Sequence, residues 1–465
     1  MFFHQRFVPG LAAASYVVGD EDAGTCVVVD PLRDAHEYLR IAEDAELRIA
    51  HVVETHVHAD FVSGSAELKA RLGPGVTVHA SGLGGPEWTP PYADHVVRDG
   101  DEFDVGRLRL RAIHTPGHTP EHVAWALFDL DRSADTPWLL LTGDFVFVGS
   151  VGRPDLLGPE SRERLAHDLY RSVFDVLPRF PDFTEIFPAH GAGSLCGKAL
   201  GSRRSSTLGY ERRFSEPLRP AEEAVWIRGV LEEMPDAPPY FRRMKKVNAE
   251  GPRVLGAELP GTRSLHVDEF ARRRCDPAVV LDVREGEAFA AGHVAGSIHV
   301  GLGANLATWA GWILPYDRPV LLVADDSAAA REAAVQLLRI GFDDLAGHLA
   351  GGFESWRRAG RPVATLTTVA PDELVERPDV VILDVRSPGE WRAGHVEGAR
   401  HVPIQQVESR CAEIPADRDV AVVCGSGYRS SIVCSILART GYRRISNVRG
   451  GMAAWRSAGL ATVSG

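Results

Sequence analysis

Thr55-His56-Val57-His58-Ala59-Asp60-Phe61 closes the apolar run that begins at Ile49, and it decides how the first part of the chain folds and works. Two imidazoles and a carboxylate in a turn after a buried strand outline a metal cradle, because these groups suit borderline cations. Three further elements share this design: T-P-G-H-T at 115–119, L-L-L-T-G-D at 139–144 and F-P-A-H-G at 187–191. In each, the His or Asp follows a strand-like run, and loops at the strand ends of one sheet edge converge in space. One stray histidine is ordinarily a surface or satisfied core residue; four turn-borne elements in succession point to a site. T-C-V-V-V-D (25–30) reads as another buried strand, L-R-L-R-A-I (108–113) as a strand with one polar face, and 33–48 and 160–178 as helices. Strands and helices mixed over this length predict a layered α/β sandwich.

The 465 residues allow about three domains at ~150 residues each. Lys plus Arg number 51 against 63 Asp plus Glu, a formal net charge of −12. That argues against a nucleic-acid partner, whose footprint is a basic surplus, but leaves room for a local basic pocket for an anionic thiol or sulfur oxyanion. No apolar run reaches the ~18 residues of a membrane-spanning helix. Met1 to Gly10 shows no signal-peptide pattern. No membrane partner and a cytoplasmic setting are therefore expected. The six cysteines, Cys26, Cys196, Cys275, Cys411, Cys424 and Cys434, are too dispersed for a disulfide framework and contain no C-x-x-C pair. A functional cysteine here is expected to be a reactive thiol.

The second half repeats itself. Asp282-Val283-Arg284 recurs as Asp384-Val385-Arg386, and Gly292-His293-Val294 as Gly394-His395-Val396, both at an offset of 102. The segment from Gly351 recurs from Gly450 at an offset of 99, so short insertions and deletions separate the anchors. Two homologous domains of ~100 residues follow, at 262–364 and 365–465, after a first domain at 1–250 whose linker runs to 261. Apolar runs at 279–282, 320–324, 381–384 and 420–424 alternate with helix-compatible stretches, which predicts parallel sheets covered by helices. Between the halves, Arg203, Arg204, Arg212 and Arg213 form one basic cluster and Arg242, Arg243, Lys245 and Lys246 another. They flank a helix at 220–234 that Pro235, Pro238 and Pro239 end, and they read as a solvated or packing surface.

C-G-S-G-Y-R-S-S, from Cys424, lies between an apolar strand and a helix start. A cysteine there meets backbone N–H groups and the positive end of a helix dipole, which favour the nucleophilic thiolate. Arg429 adds positive charge for an oxyanion, and Gly425, Ser426, Gly427 and Tyr428 complete the substrate-binding loop. In the middle repeat, alignment through the apolar run puts Ala324 where Cys424 stands, followed by Asp325 and Asp326, which repel an anion. Cys275 precedes the first strand of that repeat and cannot substitute. The middle repeat is expected to be catalytically silent.

The motif order over ~1–250 resembles the metallo-β-lactamase superfamily, whose fold is an αββα sandwich. The superfamily pattern H-x-H-x-D-H ends here in Phe61, which has no lone pair. In two-metal hydrolases such as glyoxalase II that last histidine holds the second ion, so one metal held by His56, His118 and Asp144 is the simpler reading. Two imidazoles and one carboxylate with open positions suit non-haem Fe(II). Within the superfamily the resemblance runs to the persulfide dioxygenases, through T-P-G-H-T-P (115–120), the T-G-D turn and V-G-R-P-D (151–155). It implies one Fe(II) per chain, with His58, Asp60 and His190 as supporting groups or possible ligands. It also implies that Arg153 shapes the substrate pocket; the competing reading is a surface ion pair with Asp155. Cys196, six residues after His190 among glycines, is a candidate functional thiol, as in similar bacterial fusion enzymes.

Both repeats resemble rhodanese sulfurtransferases, and the six-residue loop from Cys424 to Arg429 is the length that accompanies sulfur transfer among relatives. The resemblances together imply a persulfide dioxygenase joined to one silent and one active rhodanese domain. Its partners would be a low-molecular-weight thiol persulfide, O₂, sulfite and thiosulfate, and a homo-oligomer is expected. The alternative is a zinc-dependent, glyoxalase II-like thioester hydrolase fused to a sulfurtransferase.

Overall fold

The computed structural model describes residues 1–232, 234, 236–256, 259–274 and 277–464; Pro235 and Cys275 lie outside the described residues. The chain forms two compact units, one of residues 1–258 with 338–341 and one of 259–337 with 342–465. Among the described residues no helix is long and apolar enough to cross a membrane.

In the first unit two six-stranded sheets stack face to face. The first runs in chain order through Phe2–Val8, Ala13–Asp20, Thr25–Val29, Arg48–Val53, Thr77–Ser81 and His95–Val97. Its first pairs are antiparallel, and pairing turns parallel from Thr25–Val29 onward. The second is ordered Ser206–Thr207, Glu185–Pro188, Leu139–Gly143, Val123–Asp129, Leu108–His114 and Glu102–Val105. Alternation explains the layering: Val27, Val29 and Val53 face Leu110, Trp125 and Leu141 between the sheets. Their neighbours Cys26, Val28 and Val52 pack outward on Tyr38, Ile41 and Leu68 of helices His36–Asp44 and Ser65–Leu72. On the other outer face Phe128, Leu140 and Ile186 meet Leu169 of helix Pro159–Arg171 and Trp226 and Val230 of helix Glu223–Leu231. Strands with two apolar faces read as continuous hydrophobic runs, hence the αββα sandwich predicted from the sequence.

The second unit contains two five-stranded, all-parallel sheets of one topology. The first is ordered Ser264–Leu265, Leu345–Leu349, Val320–Val323, Val279–Asp282, Ile298–His299. The second is Thr367–Val369, Ile445–Val448, Val420–Val423, Val381–Asp384, Arg400–His401. The repeat extends to single hydrogen bonds. Arg284 bonds Asp282 and donates to the Gly292 carbonyl at 2.8 Å, as Arg386 does with Asp384 and the Gly394 carbonyl at 2.8 Å. His299 Nε2 donates to the Arg284 carbonyl at 2.9 Å and His401 Nε2 to that of Arg386 at 2.8 Å.

Two sequence expectations shift. The helix expected at 220–234 is Glu223–Leu231, and a second helix, Tyr240–Glu250, follows. The second basic cluster is not all solvated surface: Arg242, Arg243 and Lys246 are exposed, but Lys245 is buried.

Candidate functional site

His56, His118 and Asp144 are buried, and their ligand-type atoms converge. Asp144 Oδ2 lies 3.7 Å from His56 Nε2 and 3.4 Å from His118 Nε2, and all three atoms lack hydrogen-bond partners. The other nitrogen of each ring explains why. The Thr55 hydroxyl spends its proton on Asp30 Oδ2 at 2.8 Å, so at 2.9 Å from His56 Nδ1 it can only accept. His118 Nδ1 faces the Arg153 carbonyl at 2.9 Å, which likewise only accepts. Both rings thus carry their proton on Nδ1 and present a bare Nε2 lone pair. Burial first, then neighbouring imidazoles for His56 and Lys245 for His118, holds both far below the ordinary imidazole range, so both are neutral. Two neutral imidazoles and a carboxylate, each with a vacant buried lone pair, fit a divalent metal by donor type.

The Asp144 turn is held just as tightly. Its N–H donates to His122 Nε2 at 3.0 Å, and His122 Nδ1 meets Thr115 Oγ1 at 2.8 Å. Gly143 has φ +53°, and a Cβ there would sit 2.5 Å from His122 Nε2, so the T-G-D glycine is obligatory. His190 bridges two carboxylates, Nδ1 to Asp144 Oδ1 at 2.7 Å and Nε2 to Asp60 Oδ2 at 2.8 Å. Burial would lower its pKa, but Asp144 and Asp60 outweigh burial and raise it to about 10.

His58 turns away from this group. Its Nε2 lies 3.2 Å from Asp30 and 3.4 Å from Glu54, and Phe61 stacks on the ring at 4.3 Å. Despite burial, the two carboxylates hold His58 well above the ordinary range. Of the three supporting groups read from the sequence, Asp60 and His190 join the Asp144 network, whereas His58 belongs to a separate buried cluster. Phe61 is itself buried core. Asn248, on helix Tyr240–Glu250, ties down the turn, donating to the His58 carbonyl at 2.8 Å and the Phe61 carbonyl at 2.7 Å and accepting from Ser63 N–H at 2.9 Å.

Arg153 makes a paired bond to Asp155 at 2.7 and 2.8 Å and donates to the Leu195 carbonyl at 3.1 Å. The ion pair is there, with Arg153 buried and Asp155 partly exposed, and the link of Arg153 to the centre is its carbonyl on His118. Cys196 groups with Asp60 and His190 but is only 1% exposed, and burial pushes its thiol well above the ordinary range. Two groups that sequence reading missed face the same region. Glu121 accepts from Val57 N–H at 2.8 Å through one oxygen while the other is unpartnered, and burial raises its pKa to about 7. Lys245 Nζ also makes no hydrogen bond, and burial lowers its pKa below the ordinary lysine range, with the Glu121 carboxylate opposing.

In the second unit, Cys424 follows strand Val420–Val423 and precedes helix Tyr428–Arg439. Its sulfur accepts from Gly427 N–H at 3.1 Å and from the Ser430 hydroxyl at 3.3 Å. Gly427 has φ +95° at the helix N-cap, which turns its N–H back onto the sulfur. Arg429 does not face an oxyanion freely; it forms a paired bond with Glu390 at 2.7 and 2.6 Å. Ala324 stands at the same place after strand Val320–Val323, buried and without a sulfur. Its carbonyl meets Gly352 as that of Cys424 meets Gly451.

The metallo-β-lactamase superfamily pattern matches residues 8–190, and the rhodanese-like domain pattern matches twice, at 266–359 and 370–458. Persulfide dioxygenase ETHE1 of Bos taurus is 31% identical over 206 residues, 44% of this chain and 74% of that protein. Its Homo sapiens counterpart is 31% identical over 191 residues, 41% of this chain and 68% of that protein. A crystal structure of a metallo-β-lactamase from Staphylococcus aureus superposes with a TM-score of 0.65 at 34% identity, covering 75% of this chain and 99% of that one. The chain belongs to the metallo-β-lactamase superfamily, among homologues of the persulfide dioxygenases. It continues into tandem rhodanese-like domains, the make-up of a dioxygenase–sulfurtransferase fusion.

Proposed function

We propose that the first unit oxidises a low-molecular-weight thiol persulfide and that the second transfers sulfane sulfur through Cys424. In the first reaction RSSH, O₂ and water give RSH and sulfite. His56, His118 and Asp144 would hold one Fe(II), which when bound supplies the electrons that activate O₂. Thr55 and the Arg153 carbonyl keep both imidazoles in the ligating tautomer, and the Asp60–His190 pair orients Asp144. In the second reaction Cys424 would carry sulfur as its own persulfide and pass it to sulfite, giving thiosulfate, or to a thiol. Sulfite made at one site is thus a substrate at the other.

The observation that carries this reading is the donor set: three bare lone pairs on two neutral imidazoles and one carboxylate, with Phe61 where a second metal's histidine would stand. The relatives named as persulfide dioxygenases support it. The test is anaerobic purification with iron and zinc quantification, followed by O₂ uptake on glutathione, cysteine and coenzyme A persulfides. One iron per chain and persulfide-dependent O₂ uptake are expected. Zinc at that stoichiometry with thioester hydrolysis and no O₂ uptake would overturn the reading.

A further inference from the structure

The sulfur cradle of the last repeat is held from outside that repeat. Helix Tyr428–Arg439 turns two neighbouring faces to two different tasks. Gly427 at its N-cap and Ser430, three residues on, face Cys424. Tyr428, Ser431 and Ser435, spaced i, i+3, i+7, share the adjacent face, and each bonds to the middle repeat. The Tyr428 hydroxyl donates to the Gly301 carbonyl at 2.9 Å. Gly301 comes so close that a Cβ there would lie 3.3 Å from Tyr428 Cε2. His299 N–H donates to Ser435 Oγ at 3.0 Å.

The central bond of this seam comes from a ring with its role already set. His299 is 1% exposed. Its Nε2 lies 2.9 Å from the Arg284 carbonyl, which only accepts, so Nε2 carries the proton. Nδ1 is then a bare acceptor, and it takes the Ser431 hydroxyl at 2.9 Å. Burial holds the ring below the ordinary imidazole range, so it is neutral and keeps that lone pair. An acceptor fixed by its own repeat thus grips the residue next to Ser430, whose hydroxyl faces the sulfur. Successive residues of a helical turn move together, so displacing Ser431 displaces Ser430 and the Gly427 cap with it.

We propose that His299 is a positioning residue for Cys424, through which the middle repeat fixes the two donors that face its neighbour's sulfur. The proposal rests on the sulfur-transfer reading of Cys424. In loading, the Cys424 thiolate attacks the outer sulfur of thiosulfate and forms a new S–S bond. The S–S bond of thiosulfate breaks, and sulfite leaves with its electron pair. Charge and sulfur balance without an external oxidant or reductant. The Gly427 N–H and the Ser430 hydroxyl serve that thiolate only while they are held to within about 0.5 Å. A repeat with Ala324 in place of a nucleophile thus acts in the reaction by holding its neighbour's donors in register.

The test is single-turnover loading of the full-length protein by saturating thiosulfate at pH 7 without air, read by mass spectrometry as sulfur gained at Cys424. His299→Ala keeps the backbone bond to Ser435 and removes only the ring; loading is expected to slow about tenfold. His299→Asn places Oδ1 near the position of Nδ1 and is expected to recover most of that loss. Ser431→Ala deletes the same bond from the other side by a single atom, and so probes it even where a His299 variant folds poorly. The double variant His299→Ala/Ser431→Ala should load no more slowly than the slower single one, because both remove one interaction. His348→Ala is the control. His348 is buried in the same repeat and meets Ser327 at 3.2 Å, on a strand separated from Ile298–His299 by two others, and its loss should leave the rate unchanged. Wild-type rates in Ser431→Ala, additive losses in the double variant, no recovery in His299→Asn, or equal slowing in His348→Ala overturns the proposal alone. If wild type gains no sulfur at Cys424, the sulfur-transfer reading fails and the proposal with it.

Discussion

The two candidate centres are built with opposite polarity. Around His56 and His118 the second-line contacts take up the Nδ1 protons, so what faces inward, together with Asp144 Oδ2, is bare lone pairs. Around Cys424 the contacts point the other way: an N–H and an O–H are aimed at one sulfur. The first environment suits a cation, the second an anion. The difference lies less in the central residues than in what holds them, since a histidine without its Nδ1 acceptor or a cysteine without its donors has no preset role. The middle repeat sharpens the point. It keeps the Asp282–Arg284–Gly292 clamp but has Ala324, Ala329 and Ala330 where Cys424, Arg429 and Ser430 stand.

The largest effects should come from removing the central atoms. His56→Ala is expected to reduce metal content and persulfide-dependent O₂ uptake to background, measured by metal analysis and an oxygen electrode. Sulfur loading at Cys424 should persist, because His56 is no part of the hydrogen-bond network around Cys424. Cys424→Ser should do the converse: a hydroxyl stays protonated near neutral pH, so sulfur transfer ceases while O₂ uptake continues and product shifts from thiosulfate toward sulfite. If either substitution abolished both activities in folded protein, the division into two independent centres would be wrong.

Weaker effects should come from the holding groups. Thr55→Val removes the acceptor that fixes His56 Nδ1 and the hydroxyl's bond to Asp30, while the backbone N–H bond to Asp30 remains; metal affinity is expected to fall about 10–100-fold, read by competition with a chelator. Ala324→Cys places a sulfur in the middle repeat without the Gly427 and Ser430 counterparts that face Cys424. Asp325 and Asp326 follow that position where Gly425 and Ser426 follow Cys424. No persulfide is expected within 262–364 by mass spectrometry after thiosulfate treatment. Efficient loading there would show that the central atom matters more than its surroundings.

The parts of this comparison visible in the sequence are those carried by short-range pattern. Apolar runs ending in His, Asp or Cys locate the strand ends, and the repeat at 102 residues locates the two small sheets. What the pattern misses depends on contacts far apart in the chain. His56 and His58 share one turn, yet His58 turns to Asp30, which parallel pairing of Thr25–Val29 with Arg48–Val53 brings alongside. Spacing alone cannot separate the two rings. Arg429 reads as a free cation until Glu390, 39 residues earlier, takes it up. Lys245 was legible by a different signal. Phe241, Met244, Lys245 and Asn248 form an i, i+3, i+4, i+7 stripe, and all four are buried. Read as charge, R-R-M-K-K is surface; read as helix period, it puts one lysine on the inner face.

The smallest effect tests whether the sulfur loop depends on the Glu390–Arg429 pair or on its own N–H groups. Burial raises the Glu390 pKa, but hydrogen bonds from Arg429 and Ser387 outweigh burial and hold it at about 2, below the usual carboxylate value of 4.5. A carboxyl lowered in the folded state adds stability that is fully present above its unfolded value and is lost as pH falls through its folded value. The pair's contribution should therefore be constant from pH 7 down to about 4.5 and decline toward pH 2. Glu390 is 38% exposed, so solvent screens the pair and the effect is modest. The melting temperature of Glu390→Gln should lie a few degrees at most below wild type at pH 7, with the gap closing below pH 4.5. Sulfur loading at pH 7 should fall by less than about tenfold in this variant and in Arg429→Ala, because the Gly427 N–H and the Ser430 hydroxyl still face Cys424. Loss of loading as complete as in Cys424→Ser would transfer the anion-holding role from the backbone loop to Arg429.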